Sequence, residues 1–118
     1  MSFDRKMLVM AAETAVQGSD LSLDIRSYRL GAVGLRADDV IVTSRNLPAQ
    51  DCIPEHHAET RLVRKLTRGS IVWVARIGRT GAWRMARPCK GCENCLRASG
   101  IKRIVYTVSP GEWESINL

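Results

Sequence analysis

The chain has 118 residues, of which 45% are hydrophobic, and 18 Lys and Arg against 12 Asp and Glu give a net charge of +6. This length predicts a single domain over residues 1–118 with one modest core. No run of about 18 apolar residues occurs, which argues against a membrane partner, and the mixed charges of the N-terminus are not typical of a secretory signal. We therefore expect a cytoplasmic protein, in which four cysteines indicate metal binding or core packing rather than disulfides.

The N-terminal half predicts a helix followed by a β-hairpin. Ser2 is a suitable N-cap, and apolar residues recur behind it at helical spacing. Asp38-Asp39 is a turn signal between two apolar runs. The elements predicted here, in order, are a helix over Phe3–Gln17, a strand over Tyr28–Leu35, a strand over Val40–Thr43 and a loop over Asn46–Glu55.

The C-terminal half alternates helical and strand patterns. Gly100 is a suitable residue just past a helix end, where Leu96 and Ile101 form the hydrophobic contact of a Schellman cap. The elements predicted here, in order, are a helix from about His57 to before Gly69, a strand over Ser70–Arg76, a loop over Gly78–Gly81, a helix that starts after Pro88 and ends near Ser99, a strand over Arg103–Thr107 and a short strand over Trp113–Leu118.

This order of elements predicts an α/β fold. We expect a three-layer α/β/α domain with a mixed sheet of four to five strands and about three helices. The turn signal Ser109-Pro110-Gly111 and the few residues after it predict that the C-terminal strand is antiparallel to its neighbour, because a parallel crossover needs a longer connection.

Two short motifs carry the chemistry. The first is His57-Ala58-Glu59, and the second is Pro88-Cys89-Lys90-Gly91-Cys92. One imidazole and two thiols at Cys-x-x-Cys spacing can hold Zn²⁺ and leave a fourth position for water. Both motifs fall at predicted helix starts, where free N–H groups favour anions. The two motifs together predict a catalytic zinc site, with His57, Cys89 and Cys92 as ligands and Glu59 moving protons.

Three further residues are rival ligands. His56 precedes His57, but only His57 has the His-x-Glu spacing. Cys95 extends the second motif to Cys-x-x-Cys-x-x-Cys, so a three-thiolate site is an alternative to a core thiol one turn deeper in the helix. Cys52 lies in the predicted loop before the first motif, and we interpret it as an incidental loop residue.

The paired motifs, His-x-Glu followed by Pro-Cys-x-x-Cys, are those of the zinc nucleobase deaminases. Between about Arg26 and Tyr106 the chain resembles the cytidine/deoxycytidylate deaminase superfamily, including Leu30–Val33, Thr43–Pro48 and Ser99–Tyr106. The resemblance implies hydrolytic deamination of cytosine, with Zn²⁺ as cofactor and Glu59 as the catalytic proton carrier. It also implies that Asn46 holds the sugar and that the backbone N–H of Ala58 holds the base carbonyl.

Further substrate contacts are predicted near these motifs. Arg45, Arg84 and Arg87 flank the predicted pocket and are candidates for a phosphate, and Tyr106 ends a strand on the side where deaminase sites form. For each, the plainer alternative is a solvated or core side chain. Arg87 also departs from the resemblance, because relatives often have glutamate or serine before Pro-Cys.

The substrate stays open at this point. Asn46-x-Pro48 favours deoxycytidylate, whereas the short C-terminus favours a free nucleoside. Deamination of a base within RNA or DNA is an alternative, although the chain has 5% aromatic residues and no basic appendage for such a partner. A zinc-stabilised binding module without catalysis is the other alternative, and Glu59 argues against it. The family resemblance implies a homo-oligomer.

Overall fold

A computed structural model describes residues 2–17, 29–46 and 62–118. Most of the predicted helix that begins near His57 lies outside these residues, and so does the predicted loop after Asn46. The helices and strands in the described part are α1 (Phe3–Val16), β1 (Arg29–Leu35), β2 (Ile41–Arg45), β3 (Ile71–Ile77), β4 (Trp83–Arg84), α2 (Lys90–Ala98), β5 (Arg103–Ser109) and β6 (Glu112–Asn117). No helix among the described residues is long and apolar enough to cross a membrane.

The strands form one mixed sheet. Its order is β2-β1-β3-β5-β6, and β4 pairs with the end of β3. β3 and β5 are parallel, whereas the other pairs are antiparallel. The predicted mixed sheet is confirmed, and so is the antiparallel C-terminal strand.

The sheet has six strands in the described residues, one more than the upper limit of the prediction. The additional strand is the two-residue β4, which is too short to show any periodicity. Thr107, fully buried, holds it in place, because its hydroxyl donates to the Arg84 carbonyl at 2.7 Å and accepts from the Arg76 N–H at 3.2 Å. Tertiary contact therefore creates this strand.

Side chains of the central strands point alternately to the two faces of the sheet, which divides the core into two layers. Val72 and Val74 face one layer, which includes Leu96 of α2. Trp73 and Ala75 face the other layer, which includes Leu8 of α1. Because successive strand residues point to opposite faces, the near-continuous apolar run of β3 covers both, and the helices lie on opposite sides of the sheet as the three-layer prediction requires.

A polar contact ties α1 to the sheet. Ser2 caps the helix by accepting from the Arg5 N–H at 3.1 Å. The Asp4 carboxylate accepts from Trp73 Nε1 at 2.9 Å and pairs with Arg103 at 3.0 Å. Partial burial alone raises the pKa of Asp4, but the hydrogen bonds from Trp73 and Arg103 and the charge of Arg103 outweigh it, so the pKa lies below its ordinary value of 3.8.

We expect Asp4→Asn to lower the free energy of unfolding at pH 7 by roughly 1 kcal/mol, since it removes a charged acceptor. A lowered native pKa stabilises the fold above the unfolded-state pKa, and this contribution disappears as the pH falls through the native value. The difference between wild type and variant should therefore shrink below about pH 4. Urea unfolding of both proteins from pH 7 to pH 3 measures this difference in the free energy of unfolding. A difference that does not change with pH would contradict the lowered pKa of Asp4.

The ends of α2 fix its direction. The Ile101 N–H donates to the Leu96 carbonyl and the Gly100 N–H to the Arg97 carbonyl, both at 3.1 Å, with Gly100 at φ 79°. This pair of bonds is the predicted Schellman cap. Just beyond it, the Lys102 N–H bonds the Ser70 carbonyl at 2.8 Å, which places the C-terminal end of α2 near the start of β3. The N-terminal end of α2 therefore faces the carboxyl ends of β3 and β5.

Candidate zinc and substrate site

The candidate site lies at the carboxyl edge of the parallel strands, the edge where ligands bind in open α/β sheets. The antiparallel registers bring the start of β1 and the end of β2 to the same edge, since Leu30 pairs with Arg76 and Gly31 with Arg45. The N-terminal end of α2 comes to this edge on the face occupied by Leu96. The start of β1, the end of β2 and the N-terminal end of α2, which are far apart in the sequence, thus lie at the same end of the sheet.

Cys89 is the N-cap of α2. Its backbone is extended at φ −65° and ψ 164°, and its thiol accepts from the Cys92 N–H at 3.5 Å. The two Sγ atoms lie 3.3 Å apart, with Cys92 fully buried and Cys89 exposed. The predicted convergence of the two thiols in the first helical turn is thus present in the structure.

The thiol pair fits Zn²⁺. A tetrahedral zinc with Zn–S bonds of about 2.3 Å holds two sulfurs about 3.8 Å apart, so a small rotation of one side chain from the observed 3.3 Å suffices. No cluster of three His, Cys, Asp or Glu side chains able to hold a metal occurs within residues 2–17, 29–46 and 62–118. Cys95, which is half-buried, therefore does not form a three-thiolate cluster with Cys89 and Cys92 in that part of the chain.

The first motif lies outside the described residues. His57, Ala58 and Glu59 are not among them, and neither are the rivals His56 and Cys52. The roles of His57 as zinc ligand, Ala58 as base contact and Glu59 as proton carrier therefore stay predictions. The interpretation of His56 and Cys52 as residues outside the zinc site stays a prediction too.

Asn46 is buried, with 4% of its surface exposed. Its Oδ1 accepts from the Leu30 N–H at 2.8 Å, and its own N–H donates to the Leu30 carbonyl at 3.0 Å. The side chain thus extends the pairing of β1 with β2 at the carboxyl edge. The predicted contact between Asn46 and the sugar stays a prediction. The Oδ1 of Asn46 already accepts a hydrogen bond within the fold.

Arg45 lies at the same edge but contacts another element. Its Nη1 donates to the carbonyl of Gln17 at 2.8 Å, and Gln17 is the C-cap of α1. Because α1 packs on the face opposite α2, this contact draws the guanidinium away from the thiol pair. A phosphate contact by Arg45 stays a prediction.

Tyr106 belongs to the core layer under α2, with 2% of its surface exposed. It pairs across strands with Glu114 of β6, and its hydroxyl donates to Glu114 Oε1 at 3.2 Å. The ring is therefore enclosed in the core, and its predicted role toward the substrate stays a prediction.

The Tyr106 hydroxyl remains protonated near neutral pH. Burial raises the pKa of this phenol, and the charge of Glu114 and its hydrogen bond raise it further, while Arg87 opposes them. Sequence reasoning missed Glu114, because only the cross-strand register brings this exposed residue to Tyr106.

The sheet, the helix directions and the thiol pair define an α/β protein with two adjacent thiols at the carboxyl edge of its parallel strands. The family model for the cytidine and deoxycytidylate deaminase zinc-binding region matches residues 1–108. The chain therefore belongs to the cytidine and deoxycytidylate deaminase family, and the predicted resemblance is confirmed.

Two solved structures share the fold. A cytidine deaminase from Burkholderia pseudomallei aligns with a TM-score of 0.63 at 16% sequence identity, over 99% of this chain and 93% of that one. A cytidine deaminase from Mycobacterium tuberculosis aligns with a TM-score of 0.57 at 19% identity, over 92% of this chain and 90% of that one. No curated protein sequence matches the chain.

Proposed function

We propose that this chain is a zinc-dependent hydrolase that deaminates a cytosine nucleotide or nucleoside to the uracil form and releases ammonia. The observation that carries the proposal is the pair of thiols at the start of α2, 3.3 Å apart, in a chain whose family is defined by a zinc-binding region. Cytidine deamination by proteins of the same fold supports it.

Five residues of the two motifs then have one task each. Cys89 and Cys92 hold Zn²⁺ together with His57. When bound, Zn²⁺ supplies a Lewis acid that makes water nucleophilic at neutral pH. Glu59, which is not a ligand, would take a proton from the attacking water and deliver it to the ring nitrogen, and would then carry the proton of the new hydroxyl on C4 to the departing amine. The Ala58 N–H holds the base carbonyl.

Several broader assignments belong to the same proposal. We expect one domain over the whole chain, a cytoplasmic location and assembly into a homo-oligomer. Deamination of a base within RNA or DNA remains the second enzymatic candidate, supported only by the net charge of +6. A steep salt dependence of oligonucleotide binding would favour it.

The first test is chelation. We expect the purified, zinc-loaded protein to deaminate 2′-deoxycytidine 5′-monophosphate or deoxycytidine, followed by the loss of ultraviolet absorbance and by ammonia release. A chelator should abolish this activity, and added Zn²⁺ should restore it, because the nucleophile depends on the metal.

The matching control separates an enzyme from a binding module. Circular dichroism before and after chelation reports whether the fold survives metal removal, so that lost activity is not mistaken for unfolding. A protein that binds zinc but releases no ammonia from cytidine, deoxycytidine or either monophosphate would support the non-catalytic module instead.

A further inference from the structure

The parallel strands β3 and β5 separate before they reach the carboxyl edge of the sheet. β1 pairs with one edge of β3 over its whole length, Ile71–Ile77, so β4 and β5 share the other edge. β5 pairs with β3 only as far as Val74, and β4 pairs with it from Arg76 onward. β4 therefore enters the sheet between the two diverging strands, at the edge where the thiol pair lies.

Thr107 lies where these three strands meet, and it is fully buried. Its hydroxyl accepts from the Arg76 N–H of β3 at 3.2 Å and donates to the Arg84 carbonyl of β4 at 2.7 Å. Its own carbonyl accepts from the Ala86 N–H at 2.9 Å. This one residue of β5 thus binds three backbone groups, two of which belong to the segment that leads into α2.

That segment has little freedom beyond Ala86, which is itself buried. Only Arg87 and Pro88 separate it from Cys89. The proline ring fixes φ at this point, and Pro88 is buried. The backbone position of Cys89 therefore depends on where Arg84 and Ala86 are held.

The geometry of the thiol pair makes this position important. The two Sγ atoms lie 3.3 Å apart, whereas tetrahedral zinc would hold them about 3.8 Å apart. Cys92 lies within α2 and is fully buried, so the adjustment falls to Cys89, which is exposed at the N-cap. A backbone that holds Cys89 in place before the metal binds lowers the entropy lost on binding.

We infer that Thr107 is a positioning residue of the zinc site, whose hydroxyl holds the segment before Cys89 in the position that metal binding requires. This inference rests on the proposed zinc-binding function. It goes beyond that function because Thr107 belongs to neither motif.

The test compares two variants of Thr107 with a control. Thr107→Val removes the hydroxyl and keeps the shape of the side chain, whereas Thr107→Ser keeps the hydroxyl. Ser70→Ala is the matched control, because Ser70 is also fully buried and its hydroxyl also binds two backbone groups. That hydroxyl accepts from the Thr67 N–H at 3.2 Å and donates to the Thr67 carbonyl at 2.6 Å. Ser70 directly precedes β3, so it lies at the opposite end of that strand from the thiol pair.

Three measurements are made on the full chain. Competition with a chromophoric chelator gives the Kd for Zn²⁺, the visible absorption bands of bound Co²⁺ report the geometry of its ligands, and thermal unfolding without metal gives the stability. We expect Thr107→Val to raise the Kd for Zn²⁺ about tenfold, the lower end of the usual effect of groups that orient metal ligands, and to change the Co²⁺ bands. Thr107→Ser and Ser70→Ala should keep the Kd within about twofold of wild type. Thr107→Val and Ser70→Ala should both lower the thermal midpoint, because each removes buried hydrogen bonds.

The control separates positioning from stability. If Ser70→Ala weakens zinc binding as much as Thr107→Val does, the effect is a loss of stability and the inference is wrong. An unchanged Kd in Thr107→Val would also overturn it. If Thr107→Val does not fold, Thr107→Ala decides, because its smaller side chain leaves room for a water to bridge the two backbone groups. A loss of affinity beyond twofold in Thr107→Ala, absent from Thr107→Ser and Ser70→Ala, would support the inference, and a smaller one would overturn it.

These measurements need no turnover, so they also separate this inference from the proposed function. A protein that binds Zn²⁺ through Thr107-dependent geometry but deaminates no cytosine substrate would refute the deaminase and leave Thr107 in its role. A wild type that binds no Zn²⁺ would overturn both.

Discussion

Glu59→Ala is expected to lower kcat for the preferred cytosine substrate by about 10²–10⁴-fold, the contribution typical of a positioned general acid and base. Zinc content should stay the same as in wild type, because the carboxylate is assigned to proton transfer and not to metal binding. Initial rates and elemental analysis on the same preparation test both halves of this expectation.

Two further variants test whether the loss of activity in Glu59→Ala is due to the carboxylate of Glu59. Glu59→Gln keeps the shape of the side chain and removes its basicity, so its activity should fall about as far as that of Glu59→Ala. Glu55→Ala removes another carboxylate, which precedes the first motif in the sequence and has no assigned task, and should leave activity within about twofold. Normal turnover by Glu59→Ala would refute the mechanism, and loss of zinc from that variant would make Glu59 a ligand instead.

The parts of the fold that the sequence predicts best are those with strong local signals. Burial on both faces of β3 follows from its near-continuous apolar run. The end of α2 follows from Gly100, because only a residue tolerant of positive φ completes that cap. The antiparallel pairing of β6 with β5 follows from the turn signal Ser109-Pro110-Gly111, in which Gly111 takes φ 75°.

The features that sequence reasoning missed have no local signal. β4 consists of two residues, and it exists because Thr107 binds both Arg84 and Arg76. Glu114 is likewise an ordinary exposed strand residue until the register of β5 with β6 sets it beside Tyr106. Such contacts depend on tertiary pairing, which a propensity pattern does not contain.

The candidate site shows a second limit of sequence reasoning. Residue chemistry correctly brings Cys89 and Cys92 together, because a spacing of three in a helical turn fixes their geometry. It does not reveal that Asn46 also serves as an acceptor for the Leu30 N–H. It also does not decide between the two interpretations of Tyr106, whose ring is enclosed in the core. A side chain with suitable chemistry can already be engaged in contacts that stabilise the fold, and only the three-dimensional structure shows those contacts.

Gly31 and Gly34 of β1 lie close to neighbouring elements. Both glycines of β1 predict close approach of a neighbour, but the sequence does not say which neighbour. The structure distinguishes them: a Cβ at Gly31 would lie 2.0 Å from the Ala11 carbonyl oxygen and 2.6 Å from the Ala15 nitrogen, both backbone atoms of α1. A Cβ at Gly34 would instead meet the flexible end of Leu66 at 2.3 Å.

We therefore expect Gly31→Ala to lower the free energy of unfolding by about 3 kcal/mol, at the upper end of the usual cost of overpacking. The helix cannot yield cheaply, because Ala11 and Ala15 are fully buried and Asp4 ties its first turn to Trp73. The thermal midpoint should fall by roughly 10 °C. Urea and thermal unfolding of wild type and variant measure the change.

Gly34→Ala is the matched control, since it makes the same substitution three residues further along the same strand. Leu66 is only half-buried and can rotate away, so this variant should lose no more than about 1 kcal/mol. Equal losses for the two variants would show that glycine is needed in β1 for a reason other than the approach of α1. A large loss confined to Gly31→Ala would show that the backbone contact between helix and strand sets the spacing of this layer.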